Sequence, residues 1–150
     1  MNDNFTIIIA DDDSDDQEFL ISTIQEINPQ CNILCVPNGE ELIAVLWGDN
    51  KNCDPAFQNP DLIFLDLNMP LLDGYESLRL IRAKLNLKSV PVFVLTTSEF
   101  EYDRIKSVAY GANGFYSKPM TPGGLKNIVM EIFSKYDQLV PMEIMKKRVS

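Results

Sequence analysis

The sequence predicts an α/β protein, in which one parallel sheet carries helices on both of its faces. Short apolar runs alternate with segments whose apolar residues recur at helical spacing, over about five units. The strand-like runs are apolar throughout, as in strands that are buried on both faces. Asn, Asp, Gly and Pro residues separate the units. Right-handed crossovers would join the strands, and a ligand site is expected at the strands' carboxyl ends.

The first two units follow from composition and spacing. Residues 5–10 form a β-branched apolar run, and residues 31–36 form a second predicted strand. Between them, a helix over about 15–27 has acids in its first turn and apolar residues at helical spacing. We expect a capping box from Ser14 to Gln17 at its start. A second helix, over 40–47, follows the turn signal Asn38-Gly39.

The later units are bounded by turn residues in the same way. Residues 48–60 have no hydrophobic period and are expected to form a loop. Pro60 and Pro70 bound the third strand, which ends on Asp66. The remaining elements are predicted as a helix over 75–84, a strand over 90–95, a charged and exposed helix over 99–110, a short strand over 115–116 and a final helix over 121–136.

Length and composition fit a single domain. The 150 residues are 45% hydrophobic, enough to bury about 70% of the unfolded surface in one core. We therefore expect residues 1–150 to form one domain, with a core over about 6–136 and a C-terminal extension over about 138–150. No apolar run is long enough to span a bilayer, and residues 1–4 lack the basic segment of a signal peptide. A cytoplasmic protein is expected.

Charge and missing residue types exclude several kinds of function. The net charge of −9 disfavours nucleic acid and anionic membranes, and it favours divalent cations or basic protein surfaces as partners. The chain has no histidine, which excludes histidine general bases and serine or cysteine triads. Cys31, Cys35 and Cys53 are odd in number and form no zinc site without histidine, so we expect reduced, structural thiols.

Polar residues follow four of the five predicted strands, at the point where each strand ends. Each has a purely structural explanation, such as a capping acid, a turn before Pro70, a strand-ending threonine or a turn lysine. The carboxyl ends of parallel strands meet at one edge, however, and the coincidence indicates a site. The residues, in chain order, are Asp11, Asp12, Asp66, Thr96, Thr97 and Lys118.

The residue types at this edge suit phosphoryl chemistry. Carboxylates within about 4 Å of one another repel by several kcal/mol at an effective dielectric constant near 20, and a divalent cation relieves the repulsion. Mg²⁺ prefers such hard oxygen ligands. An ionised aspartate beside Mg²⁺ can accept a phosphoryl group. The metal and Lys118 would then neutralise the equatorial oxygens while Asp66 attacks in line.

The motifs together resemble the receiver domains of two-component response regulators, including the stand-alone chemotaxis type. The insert between Trp47 and Pro60 is longer than in minimal receivers and resembles that of phytochrome-associated single-domain regulators. The resemblance covers about residues 6–136 and implies a flavodoxin-like sheet with strand order 2-1-3-4-5. It rests on Asp11-Asp12, on Leu65-Asp66-Leu67-Asn68-Met69-Pro70 with Asp73-Gly74, on Leu95-Thr96-Thr97 and on Lys118-Pro119.

The resemblance also implies a role for each site residue. Asp66 would be the phosphoacceptor. The implied Mg²⁺ ligands are Asp11, largely through water, Asp12 directly, Asp66 and the backbone carbonyl of Asn68. The implied phosphoryl-binding residues are Thr96, Thr97 and Lys118, and the implied switch residues are Thr96 and Phe115.

A response regulator of this kind would take a phosphoryl group from a sensor histidine kinase or a histidine phosphotransfer protein. Apart from its own aspartyl phosphorylation and dephosphorylation, it would not be an enzyme. The chain ends at Ser150 without an output domain, so we expect output through an unidentified protein target, with no nucleic acid or membrane partner. Whether the protein forms a homodimer is left open. The 138–150 tail is expected to pack on the last helix.

Two alternatives lead to different functions. Haloacid-dehalogenase-type phosphatases also place an aspartate nucleophile after a strand and use Mg²⁺ and a lysine. They need a second aspartate two residues later as general acid, and this chain has Asn68 there, which cannot deliver a proton. A degenerate receiver that acts only as a docking module usually lacks the acceptor or the acid pair, whereas both are present here.

Overall fold

The computed structural model describes residues 5–119 and 121–136, and its centre is a five-stranded parallel sheet. The strand order is β2-β1-β3-β4-β5, as the receiver resemblance implied. The predicted α/β class with a doubly wound sheet is confirmed. The strands are β1 (Thr6–Ala10), β2 (Asn32–Val36), β3 (Leu62–Leu65), β4 (Val92–Thr96) and β5 (Gly114–Ser117).

Five α-helices connect the strands and lie close to their predicted positions. They are α1 (Ser14–Ile27), α2 (Gly39–Leu46), α3 (Gly74–Ala83), α4 (Glu101–Ala109) and α5 (Pro122–Phe133). Two short 3₁₀ helices, Pro55–Gln58 and Leu85–Leu87, were not predicted. The first lies in the segment predicted as a loop, where the buried ring of Phe57 anchors it in the core. One buried residue produces no hydrophobic period in the sequence, so the sequence pattern did not predict this helix.

The sheet separates two hydrophobic cores. Successive side chains of a strand point to opposite faces, so Ile8 of β1 enters one core while Ile7 enters the other. The first core includes Leu42 of α2 and Leu78 of α3. The second is closed by α1 and α5, which contribute residues such as Ile24. Both faces of the sheet are therefore covered by helices, and its carboxyl edge is where a ligand site is expected.

The start of α1 differs from the predicted capping box. Asp13, not Ser14, is the N-cap, and its carboxylate accepts hydrogen bonds from the backbone N–H groups of Asp15 and Asp16. The Gln17 side chain donates instead to the backbone carbonyl of Asp11. A carboxylate is a strong acceptor for these free N–H groups, which explains why Asp13 takes the capping position.

The three cysteines are free thiols, as predicted. Burial raises the pKa of Cys31 to about 12 and that of Cys35 to about 11, which disfavours the reactive thiolate. Within residues 5–119 and 121–136, no helix is long and apolar enough to cross a membrane. The predicted packing of the 138–150 tail on the last helix concerns residues outside the described part of the chain.

Candidate functional site

Three carboxylates converge at the carboxyl edge of the sheet. β1 and β3 pair in register at Ala10 and Leu65, so Asp11 and Asp66 leave neighbouring strands side by side. Asp11, Asp12 and Asp66 each offer one oxygen, and these oxygens lie within 4.8 Å of one another. Asp11 and Asp66 are buried, whereas Asp12 is exposed. Hard oxygen ligands that are partly open to water are the donor set that Mg²⁺ prefers, so these residues fit that ion.

The backbone around Asp66 is held on both sides. Its N–H donates to the carbonyl of Ala10, with an N···O distance of 2.9 Å, and one of its carboxylate oxygens accepts the N–H of Asn68 at 3.1 Å. The N–H of Gly74 donates to the carbonyl of Leu67. This bond folds the start of α3 back against the acceptor strand, which gives the Asp73-Gly74 motif a structural role.

Lys118 brings a positive charge into the acid cluster. Its backbone N–H donates to the carbonyl of Thr96 at 2.6 Å, and this bond ties the end of β5 to β4. Its Nζ lies 2.8 Å from Asp11 Oδ2, 2.9 Å from Asp66 Oδ2 and 2.8 Å from Asp16 Oδ2. An ammonium group has three N–H donors, so these three carboxylates occupy all of them.

The cluster shifts the acidity of its members. Burial on its own would lower the pKa of Lys118, but the hydrogen bonds to Asp11, Asp16 and Asp66 outweigh it and hold the pKa above its usual value. Burial raises the pKa of Asp11, and the contacts with Lys118 and the N–H of Asp13 oppose that rise. A cation in place of solvent would favour the ionised form of Asp11 further.

Sequence reasoning missed Asp16 as a member of the site. It appeared only as an acid in the first turn of α1, where it favours the helix dipole. In the structure it is half-buried and contacts Lys118, 102 positions later in the chain. The position of α1, whose first turn begins at the carboxyl edge of the sheet, was the only signal in the sequence.

The predicted phosphoryl-binding threonines differ in environment. Thr96 ends β4, pairs in register with Ser117 and is fully buried. Thr97 is exposed. It stays a prediction that the backbone carbonyl of Asn68 binds the metal. It also stays a prediction that both threonines bind the phosphoryl group.

Phe115 lies on the edge strand β5, where it pairs in register with Val94 and packs, half-buried, against the first core. The Ser117 hydroxyl donates to the carbonyl of Ser98 at 2.8 Å, which joins β5 to the loop after Thr96. Phe115 therefore lies on a strand with a direct bond to that loop. Its role as a switch stays a prediction.

Residues 7–130 match the family model of the response regulator receiver domain. The chain belongs to this family. The match includes β2 to β5 completely, β1 except for Thr6, and most of α5. The chain is thus a receiver domain of two-component signalling. Receiver domains are in general signalling modules and not enzymes.

Curated relatives share the receiver segment within longer proteins. The chain is 34% identical over 119 residues to the probable transcriptional regulator ycf29 of Pyropia yezoensis, which covers 77% of this chain and 49% of that protein. It is 33% identical over 100 residues to hybrid signal transduction histidine kinase D of Dictyostelium discoideum, covering 64% of this chain and 6% of that protein. The chain spans about half or less of these two relatives.

Solved structures of response regulators share the fold over most of the chain. The phosphorylated cyanobacterial phytochrome response regulator RcpA has a TM-score of 0.76 at 31% identity, covering 86% of this chain and 91% of that one. The Mn²⁺-bound form of response regulator Rcp1 has a TM-score of 0.75 at 30% identity, covering 87% and 92%.

Proposed function

We propose that this receiver domain accepts a phosphoryl group on Asp66 from a phosphohistidine of another protein, in a reaction that depends on Mg²⁺. The observation that carries the proposal is the buried Asp66 carboxylate, which lies 2.9 Å from the Lys118 ammonium and within a group of three acids able to hold a cation. Residues 6–136 would act as one receiver unit.

Each residue has a part in the proposed transfer. An Asp66 oxygen attacks the phosphorus and the phosphorus–nitrogen bond of the donor breaks. The donor ring, already protonated on its other nitrogen, keeps the bonding electron pair and leaves as neutral imidazole. Lys118 donates to the phosphoryl oxygens, and Thr96 and Thr97 would add hydroxyl donors. Asp11, Asp12, Asp66 and the carbonyl of Asn68 would hold Mg²⁺, which supplies charge neutralisation when bound.

Partner and location follow from the same proposal. The chain contains no histidine, so the phosphohistidine belongs to a sensor histidine kinase or a histidine phosphotransfer protein. The similarity to hybrid histidine kinases supports this class of donor. The domain would work in the cytoplasm and pass its signal to a protein target, while a net charge of −9 disfavours nucleic acid and anionic membranes.

Labelling by a small phosphodonor tests the acceptor. Acetyl phosphate and Mg²⁺ should add one phosphoryl group to the wild-type protein, and hydroxylamine should remove it because it is an acyl phosphate. Intact-mass spectrometry should show no addition to Asp66→Asn. Asp15→Asn is the matched control, because Asp15 is an exposed aspartate near the same edge, and it should be labelled like the wild type.

Three other outcomes would contradict the proposal. Labelling retained in Asp66→Asn would move the acceptor to another residue. Steady release of phosphate from many phosphomonoesters would favour the phosphatase alternative. An unlabelled wild-type protein that still binds a histidine kinase would indicate a docking module.

A further inference from the structure

Asp16 differs from the other two partners of Lys118. Asp11 and Asp66 belong to the group of three acids that can hold a cation, whereas Asp16 lies outside that group. Its carboxylate is nevertheless as close to Lys118 Nζ as that of Asp11, at 2.8 Å. Lys118 thus divides its three donors between two carboxylates that a cation would use and one that it would not.

This division matters because a cation and an ammonium group compete for the same oxygens. Lys118 Nζ is bonded to Oδ2 of both Asp11 and Asp66. A divalent cation that binds those two residues repels the ammonium group and weakens both bonds. An ammonium group with no further partner would resist losing them, since a buried charge without a partner is costly.

We propose that Asp16 is a positioning residue that anchors Lys118 when a divalent cation occupies the acid cluster. With Asp16 present, Lys118 keeps one carboxylate partner and stays beside Asp66 while Asp11 and Asp66 turn to the cation. Without it, Lys118 depends on those two residues alone and competes with the cation. This inference rests on the Mg²⁺ binding in the proposed function.

The anchor also gives a geometric advantage for the phosphoryl group. Asp16 lies in the first turn of α1 and Lys118 directly follows β5, so their bond joins two elements on either side of the acceptor. Held there beside Asp66, Lys118 Nζ can donate to a phosphoryl oxygen with an N–H group that Asp11 and Asp66 have released to the cation. Asp16 itself need not touch the metal or the reacting atoms.

Mg²⁺ affinity, measured by isothermal titration calorimetry on the unphosphorylated protein, is the direct test. Asp16→Asn should weaken Mg²⁺ binding by about tenfold, the effect of one hydrogen bond between charged groups. Asp16→Glu keeps the carboxylate and should recover most of the loss. Asp15→Asn, with the same change of charge in the same helical turn but an exposed position, should weaken binding by about twofold.

A double-mutant cycle separates anchoring from simple charge. In a Lys118→Met background the competing ammonium is absent, so Asp16→Asn should cost no more than about twofold. An equal loss of affinity in both backgrounds would overturn the inference, because Asp16 would then act through space alone. Thermal unfolding without Mg²⁺ checks that each variant is folded.

The experiments distinguish failure of this inference from failure of the proposed function. If Asp12→Ala abolishes Mg²⁺ binding while Asp16→Asn behaves like Asp15→Asn, the metal site stands and the anchoring role is wrong. If Asp12→Ala leaves Mg²⁺ affinity unchanged, the metal assignment in the proposed function is wrong.

Discussion

Gly74 shows how closely a single residue can control the acceptor. A Cβ atom at this position would lie 2.6 Å from the carbonyl oxygen of Asp66 and 2.6 Å from the Cα of Leu67, and both are backbone atoms that cannot rotate away. Only a residue without a side chain allows the start of α3 to pack against the acceptor segment. The need for glycine here is steric, because the backbone of Gly74 is in an ordinary conformation.

Gly74→Ala should therefore lower the free energy of unfolding by about 1–3 kcal/mol, the usual cost of overpacking. Urea denaturation measures this loss. Gly123→Ala is the control, because Gly123 lies in the first turn of α5 with nothing within 4 Å of its added Cβ. Gly123→Ala should raise the free energy of unfolding by up to about 1 kcal/mol, because alanine has a higher helix propensity than glycine. Equal stability of Gly74→Ala and the wild type would mean that the α3 start shifts freely.

Mg²⁺ should stabilise the folded protein, because in the proposed function the native acid cluster holds the ion and the unfolded chain does not. At 100 times the dissociation constant the gain is about 2.7 kcal/mol in the free energy of unfolding. Asp12→Ala should abolish it. Asp12 is exposed, and Lys118 keeps its three carboxylate partners in this variant. Superimposable melting curves with and without millimolar Mg²⁺ would rule out the metal site.

At the scale of elements, a polar link joins α3 and α4. The Ser98 hydroxyl donates to Asp103 Oδ2 at 2.5 Å, and the Tyr75 hydroxyl donates to the other carboxylate oxygen of Asp103. Lys106 Nζ lies 4.1 Å from the centre of the Tyr75 ring. The Tyr110 ring packs edge-on against the Tyr75 ring, with 5.7 Å between the two ring centres. The link connects the loop after Thr96 to both helices.

Tyr75→Phe should lower the free energy of unfolding by about 1 kcal/mol, because it removes the hydroxyl donor and keeps the ring. Tyr102→Phe is the control. The Tyr102 side chain is largely exposed, and its hydroxyl has no hydrogen bond within residues 5–119 and 121–136. That variant should match the wild type. A Tyr75→Phe protein as stable as Tyr102→Phe would show that the link contributes nothing.

The contribution of this link to the free energy of unfolding should also depend on pH. Hydrogen bonds from Ser98 and then Tyr75 hold the pKa of Asp103 below its usual 3.8. Because the folded pKa lies below the unfolded one, the stabilising contribution is present above 3.8 and is lost as the pH falls further. Burial, followed by the bond to Asp103, raises the pKa of Tyr75, so its contribution is lost above the usual 10.0. The difference between wild type and Tyr75→Phe should shrink outside that window.

At the scale of the whole molecule, α4 presents an exposed face that contains large apolar side chains, not only the predicted charges. Phe100, Tyr102, Ile105 and Val108 are all more than half exposed. The face lies next to β5, which carries Phe115, and its first residues follow the loop of Thr96. A change in that loop can therefore reach this surface through Ser98 and Ser117.

In the proposed function, phosphorylation of Asp66 would add acceptor oxygens near Thr96. We expect the Thr96 loop to move inward and Phe115 to turn with it. The surface formed by α4, Phe115 and α5 would change. A shift of the ratio of active to inactive conformation from 1:99 to 99:1 requires about 5.5 kcal/mol of differential binding. We therefore expect part of the protein to be in the active conformation before phosphorylation.

Beryllofluoride with Mg²⁺, a mimic of the phosphoryl group, makes this route observable. Chemical-shift or hydrogen-exchange changes should extend from Thr96 through α4 to Phe115, and Thr96→Ala should remove the distant part of the response. Thr97→Ala, a change at an exposed neighbour, serves as the comparison. Changes confined to the acid cluster, or a full response in Thr96→Ala, would refute the route even with Asp66 as the acceptor.

The sequence by itself determined the class of fold and the core of the candidate site. Apolar period and turn residues are local properties, and they located all five strands. Thr96 ends a strand, Asp11, Asp66 and Lys118 directly follow strands, and Asp12 comes one residue later than Asp11. A parallel sheet brings such positions to one edge, so their proximity follows from the order of elements alone.

Only the tertiary structure decided which side chains complete that edge. Asp16 contacts Lys118 across 102 positions, and Tyr75 contacts Asp103 across 28. No local pattern encodes either pair, because the first depends on how α1 packs against the sheet and the second on how α3 and α4 lie next to each other. The need for glycine at position 74 has the same origin. It depends on a distance between two segments that the packed core sets and that spacing along the chain does not reveal.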